Sequence, residues 1–285
     1  TMGKFIHLSY RNKEVDIPNA WEVLTSAQYL KLVGYLMQLD HGEINPWVLK
    51  VRFLCDLLDL DIRRFRKEED VEGLAAVSDQ IDFIFHETED KVELNLCFCH
   101  QLLPTVEVKG KQYRSFDVST DFQSLTCSLT ALQYIEARQT LDMGEASYPL
   151  LAAILYCPGD YSSEEAQRLA NVFDSLPKVT LQAIAINFMA LNNFLFTKTP
   201  FPLLTKFKAG KSATIYTDAS DALYDLSKDG LGNATQVERM NVLTYLRILR
   251  KKTIDGVKSL QVAGMDVVKI ASTVGLPVDV VQKII

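Results

Sequence analysis

Leu24-Thr25-Ser26-Ala27-Gln28-Tyr29 and Leu129-Thr130-Ala131-Leu132-Gln133-Tyr134 carry the same helix start at two places in one chain. In each, a Thr followed three residues later by Gln has the form of a capping box, and Leu with Tyr occupies the two positions of a hydrophobic staple. Downstream the likeness continues. Leu39-Asp40-His41-Gly42-Glu43 with Pro46 is answered by Leu141-Asp142-Met143-Gly144-Glu145 with Pro149. Glycine stops a helix and proline opens one, so each copy predicts a helix, a tight turn and a second helix packed back as a hairpin.

In the first copy Tyr29, Leu32, Leu36 and Leu39 keep helical spacing, and on the next helix Trp47, Val51, Leu54 and Leu58 share a side. Upstream, Lys4 to Ile17 alternates around Arg11-Asn12-Lys13 and predicts a hairpin. A second alignment sets Asp117-Val118, Phe122 and Leu125-Thr126 against Asp16-Ile17, Trp21 and Leu24-Thr25. It competes with the first by four residues, and both registers stay open. An internal repeat is expected on the combination of cap, turn and proline.

Between the copies, Arg63-Arg64-Phe65-Arg66-Lys67 and Glu68-Glu69-Asp70 form a mixed charge run before a short helix over 71–80. Ile81 to His86 and Lys91 to Cys99 predict strands around the polar turn Glu87 to Asp90. Along the second, Val92, Leu94, Leu96 and Phe98 share a face. Val106 to Tyr113, broken at Lys109-Gly110, predicts another hairpin, so the middle of the chain reads as a small sheet.

Beyond the second copy, the apolar run Leu150 to Tyr156 ends at Cys157-Pro158-Gly159, and Ser162 with Glu165 predicts a further capping box. Leu181, Ile184, Phe188, Leu191 and Leu195 form one face of a long apolar helix. Asn187, Asn192 and Asn193 interrupt it, which favours a buried helix over a membrane span. Lys206 to Thr217 reads as a linker, Asp221 to Lys228 as a short helix, and Thr235 with Glu238 as the cap of another. That last helix has Val242, Tyr245, Leu246 and Leu249 inside and the cations of Arg247 to Lys252 at its end. The resulting expectation is a mainly α fold with small β-hairpins (α+β): a first repeat unit over 1–102, a second over 103–205, and a C-terminal helical region over 206–285.

Composition bounds function. The 285 residues are 48% apolar and 23% charged with a formal charge of −6, a soluble globular balance without a field for nucleic acid or anionic membrane. Five cysteines, an odd number, suit a reducing compartment, and the chain shows no signal-peptide pattern. Gly210-Lys211-Ser212 has the tail of a phosphate-binding loop, but Thr205 stands where the leading glycine belongs. Cys97, Cys99 and His100 could offer metal ligands, yet no second Cys/His pair lies at ligand spacing. His7, His41, His86 and His100 fall in strands or turns without a nucleophile motif, and the acidic runs read as solvated turns. No catalytic, cofactor-binding or metal residues are assigned, and a non-enzyme is expected.

The C-terminal stretch has the outline of a helix-turn-helix: Asp266 as cap, Val267, Ile270 and Ala271 inside, Gly275 as stop, Leu276-Pro277 as restart, then Val280, Val281 and Ile284. Its second helix offers only Gln282 and Lys283 beside Asp279, which favours a packed hairpin over a base-reading one. A nucleic-acid-binding or regulatory protein using this hairpin, with Arg63, Arg64, Arg66 and Lys67, is the alternative reading.

Tyr148 to Tyr156, with Ala152-Ala153-Ile154-Leu155-Tyr156-Cys157-Pro158, resembles the A-x-L-Y-R-P signature of proteins in the structural modules of tailed bacteriophages and prophages. A Phe-x-x-Leu-Thr lead (Phe122, Leu125, Thr126) precedes it, and Tyr161, Leu176-Pro177 and Phe188 to Phe196 follow, so the likeness spans roughly Asp121 to Phe201; Cys157 replaces the usual Arg. The resemblance implies a non-enzymatic role in virion or tail assembly, as a tail-assembly chaperone or a component retained in the particle. Its implied partners are other phage structural or tail proteins or further copies of itself. Nucleic acid is disfavoured, and no membrane, cofactor or small-molecule substrate is indicated. The implied location is the cytoplasm of the bacterial host, with virion association as the other option.

Overall fold

The structure is a computed structural model that describes residues 3–10, 13–61, 68–88, 91–121, 124–201, 223, 227–228 and 232–285. Strand β1 (Phe5–Tyr10) pairs antiparallel with β2 (Lys13–Pro18), and a 3-10 turn over Trp21–Val23 leads to the first helix. Helix α1 (Ser26–Asp40) begins on the expected capping box: Thr25 Oγ1 accepts from Gln28 N at 3.2 Å and Gln28 Oε1 accepts from Thr25 N at 2.9 Å. Gly42, at φ 72°, makes the turn into α2 (Pro46–Leu57), which Asn45 caps. The two helices pack as a hairpin, tied by Tyr35 to Asp56 at 2.7 Å and Arg52 to Gln38 at 2.9 Å. Trp47, in the first turn of α2, departs from the expected buried side and is 46% exposed.

Helix α3 (Glu68–Asp79) follows, three residues longer at its start than the sequence suggests. The expected sheet is replaced by separate two-stranded hairpins: β3 (Phe85–Glu87) with β4 (Val92–Leu94), β5 (Thr105–Val108) with β6 (Lys111–Arg114), and β7 (Val118–Ser119) with β8 (Thr126–Cys127). Lys109 and Gly110, both at positive φ, close β5 onto β6 in the manner of a two-residue hairpin turn. The ladder ends at Leu94, and residues 95–103 run on as irregular extended chain, which corrects the long strand read from alternation.

Helices α4 (Ala131–Asp142), α5 (Tyr148–Leu155) and α6 (Ser163–Phe173) come next. The turn before α5 again uses a glycine, Gly144 at φ 87°, and Pro149 again stands in the first helical turn. Thr130 caps α4, but Gln133 does not close the box. Its amide donates to Ile154 O at 2.8 Å and so ties α4 to α5. Ser162 makes no side-chain cap for α6. Instead, the Tyr161 hydroxyl donates to Glu136, and Ser163 donates to it at 2.6 Å, which joins α6 to α4. A tertiary acceptor wins over the local cap in both places.

Helix α7 (Lys178–Thr197) is the axis of the fold. Ala183, Ile184, Ala185, Ile186, Ala190 and Leu191 are all buried, so it is surrounded rather than one-sided. By length and composition it could cross a membrane, but here it is enclosed by protein. Both staple tyrosines end on it: Tyr29 donates to Ala183 O at 2.7 Å and Tyr134 to Asn192 Oδ1 at 2.8 Å.

Its asparagines hold the extended segment 95–103. Asn187 donates to His100 O and accepts from Leu102 N, both at 2.8 Å, and Asn193 donates to Leu96 O at 2.8 Å. Trp21, Ser26 and Tyr156 bind the carbonyls of Asn95, Leu102 and Leu103 at 2.8, 2.7 and 2.5 Å. Buried backbone groups must find partners, and these side chains replace the missing strand ladder. Trp21 stacks on Phe98 with centroids 5.1 Å apart, and meets Phe83 and Tyr29 edge-on.

At the C-terminal end, the cap expected at Thr235 and Glu238 lies two residues earlier. Asn233 and Gln236 form the box for α8 (Ala234–Glu238). The chain then breaks and restarts at α9 (Val242–Val262), capped by Asn241. The break has a purpose in packing. Ala131 N donates to Met240 O, Val242 N donates to Leu129 O, and Asn241 Nδ2 donates to Cys127 O, so the restart is stitched to the start of α4. Because α9 runs on to Val262, the cations of Arg247 to Lys252 lie mid-helix rather than at its end. Helices α10 (Val267–Val274) and α11 (Val278–Ile284) then fold against its last turns, with Asp266 as cap and Gly275 in the left-handed region at φ 70°.

The main core gathers residues from Ile17 to Leu246. A separate small core holds Val257, Ile270, Ala271, Leu276 and Val281. The architecture is mainly α with small antiparallel hairpins, an α+β fold. The expected linker Lys206 to Thr217 and much of the helix expected over Asp221 to Lys228 lie outside the described residues.

Candidate functional site

The two helical hairpins present their tips to solvent, and each tip carries a large apolar side chain. Trp47, at the start of α2, is 46% exposed, and Met143, in the turn between α4 and α5, is 69% exposed. Local folding explains both. The glycines at φ 72° and 87° end each first helix in a tight turn, and a proline stands in the first turn of each second helix. What stands at the tip is therefore held on rigid elements and stays partly exposed. Trp and Met are side chains enriched where proteins meet, the first for area and the second for adaptability.

The groups weighed for chemistry have structural occupations. Cys97 Sγ lies 3.2 Å from Thr197 Oγ1, Cys99 is buried, and His100 is exposed while its carbonyl is held by Asn187. Among the described residues no group of three His, Cys, Asp or Glu is placed to hold a metal ion. His7 pairs with Asp16 at 2.6 Å, His41 lies 4.0 Å from Glu43, and His86 is exposed on β3. All five cysteines are free thiols. Burial pushes Cys99 up to about 12, with Cys127 adding to the effect, and pushes Cys127 itself up to about 11, so both stay protonated at neutral pH. Gly210-Lys211-Ser212 and the Arg63, Arg64, Arg66 and Lys67 run lie outside the described residues.

A polar hollow of about 650 Å³ opens between α4, the start of α6 and α8. Tyr161 and Ser163 line it, and both hydroxyls donate to Glu136. Burial, then the hydrogen bond to Glu136, raise the Tyr161 phenol far above its usual value, which makes it a fixed donor rather than a base. Arg239 faces Asp160 at 3.9 Å on the rim. The bonds to Glu136 join α6 to α4, and Arg239, just past α8, faces the turn before α6.

In the C-terminal hairpin Lys269 pairs with Asp266 at 3.4 Å and Lys283 with Asp279 at 3.8 Å, so each cation that could face a phosphate has an acid beside it. Compared with known proteins, the chain matches no family model, no curated protein and no solved structure.

Proposed function

We propose that the chain is a non-enzymatic assembly protein of phage type, acting through protein–protein contacts in virion or tail assembly, with a duplicated helical-hairpin unit as its working part. The observation that carries this reading is the exposure of Trp47 and Met143 at the tips of the two hairpins. A side chain of that size left in water by a rigid turn is a standing gain of about 25 cal/mol per Å² for any partner that covers it. The shared order of Thr cap, glycine turn and proline restart in α1–α2 and α4–α5 supports the repeat. The likeness of 121–201 to phage structural-module proteins supplies the biological class.

The test is co-expression with the other structural proteins of a tailed-phage module, followed by size-exclusion chromatography. Co-elution that is lost on replacing Trp47→Ser and Met143→Ser supports the reading. A chain that elutes as a clean monomer beside every one of them would sink it. Nucleic-acid binding through α10 and α11 is the second reading, favoured by the separate core beneath them. It requires salt-sensitive binding to duplex DNA that weakens on Lys283→Ala.

A further inference from the structure

On α9, Leu243, Arg247 and Arg250 follow one another at helical spacing along one face. That face, with the end of α7 and the turn after it, encloses a cleft of about 590 Å³, within the range of roughly 300–1,000 Å³ typical of ligand sites. Its apolar wall is made by Leu125, Phe194, Phe201 and Leu243, and its charge by Lys198, Arg247 and Arg250. None of the described lining residues is acidic.

The chain holds 36 acidic residues against 30 Lys and Arg, and several cations elsewhere sit beside acids: Lys31 by Asp56, Arg114 by Asp117, Arg168 by Glu165. In the cleft, Lys198, Arg247 and Arg250 have no side-chain hydrogen bond or ion pair among the described residues. Arg250 goes further, because its Nε is buried and still lacks a hydrogen-bond acceptor. A buried donor on a charged group left without an acceptor is costly, and an unpaired one needs a reason.

We propose that this cleft binds an acidic, apolar peptide segment of a partner protein, with carboxylates on Arg247, Arg250 and Lys198 and a Leu or Phe side chain against Phe194 and Phe201. The choice of a protein ligand rests on the assembly reading; the charge argument does not. Guanidinium groups take carboxylates in paired hydrogen bonds, and the apolar wall gives the neighbouring side chain a place to bury. A phosphate ligand fits less well. No glycine-rich loop and no helix N-terminus stand among the described lining.

The test is fluorescence polarisation with a fluorescein-labelled Glu-Phe-Glu-Leu-Glu peptide, its Gln-Phe-Gln-Leu-Gln isostere, and oligothymidylate of matching charge, on the full chain. The expected result is that the Glu peptide binds about tenfold or more tightly than the Gln peptide, in the manner of charge-assisted pairs, and weakens as salt rises. Arg247→Ala, at an exposed position, should lower that affinity about tenfold with the melting midpoint unchanged. If Arg250→Ala fails to fold, Arg250→Lys keeps the charge but loses the fork, and should still weaken binding. Equal binding of the Glu and Gln peptides, unchanged binding by Arg247→Ala, tighter binding of oligothymidylate, or no peptide binding at about 1 mM, a free energy below about 4 kcal/mol, each overturns the proposal. Failure here with co-elution of phage proteins intact removes the cleft and leaves the assembly reading standing.

Discussion

Replacing Asn187→Leu should cost far more than its size suggests. Asn187 is 3% exposed, and its amide serves two backbone groups of the extended segment, His100 O and Leu102 N, both at 2.8 Å. Leucine fills similar space but pairs with neither. Each of the two buried backbone groups left alone costs about 1–3 kcal/mol, and the added apolar burial returns about 1, so the net loss is about 1–5 kcal/mol. For a domain of this size that is a fall of about 2–20 °C in Tm. Asn193→Leu is the matched control, since that residue is exposed and supports a single carbonyl, Leu96 O; its cost should stay below about 1 kcal/mol. Urea unfolding followed by circular dichroism measures both, and hydrogen exchange at the Leu102 amide locates the loss. An Asn187→Leu protein within about 0.5 kcal/mol of the parent, or one no worse than Asn193→Leu, would refute the view that α7 holds 95–103 through its asparagines.

Three further outcomes follow from the same packing. Gln133→Ala should destabilise by about 1–3 kcal/mol and Gln28→Ala by about 1 or less, because the first leaves the buried Ile154 carbonyl alone and the second loses half of an exposed cap; equal urea midpoints would contradict this. Gly275→Ala, which forces a Cβ into the left-handed region, should cost about 1 kcal/mol and open the small core of α9, α10 and α11 to protease while the main transition stays put; unchanged cleavage after residue 263 would count against it. Stability should also decline with alkali. Cys99 and Cys127 rise to about 12 and 11 through burial, so the folded chain holds protons that the unfolded chain releases above about pH 8.5. The stabilisation is full below that value and is lost as pH climbs toward the folded pKa values. Urea midpoints that do not move between about pH 7.5 and 10 would exclude it, and Cys99→Ala should flatten the slope.

What was legible in the sequence is what local chemistry decides. Thr25 with Gln28, Asp266, Gly42, Gly144 and Gly275 act on backbone within one turn of themselves, and they appear where the pattern put them. Gln133, Ser162 and Glu165 have the same local form, but the structure spends Gln133 on Ile154 O and turns Ser163 to Glu136. No local pattern carries that information, since the partners lie about twenty or more residues away in the chain. Alternation through Lys91 to Cys99 reads as one strand because Leu96 and Phe98 are buried. Their burial comes from α7 and Trp21 rather than from a sheet. Helical spacing placed Trp47 on a face but does not say how far that face is covered, and the residue is 46% exposed. The cations of α9 read as a helix end because Gly256 and the polar residues beyond it hide ten further helical residues, Thr253 to Val262. The cleft was invisible for a related reason: Lys198 and Arg247 come from segments far apart in the chain, and the hydrogen bonds of 240–242 to 127–131 are tertiary contacts that no local pattern announces.

The most direct measurement is the mass, by light scattering after size exclusion, of the chain co-expressed with the structural proteins of a tailed-phage module. An assembly protein working through its hairpin tips gives a defined complex whose mass falls to that of the separate chains when Trp47 and Met143 become serine. A single peak at 32.1 kDa beside every partner, or a complex indifferent to both substitutions, would contradict it.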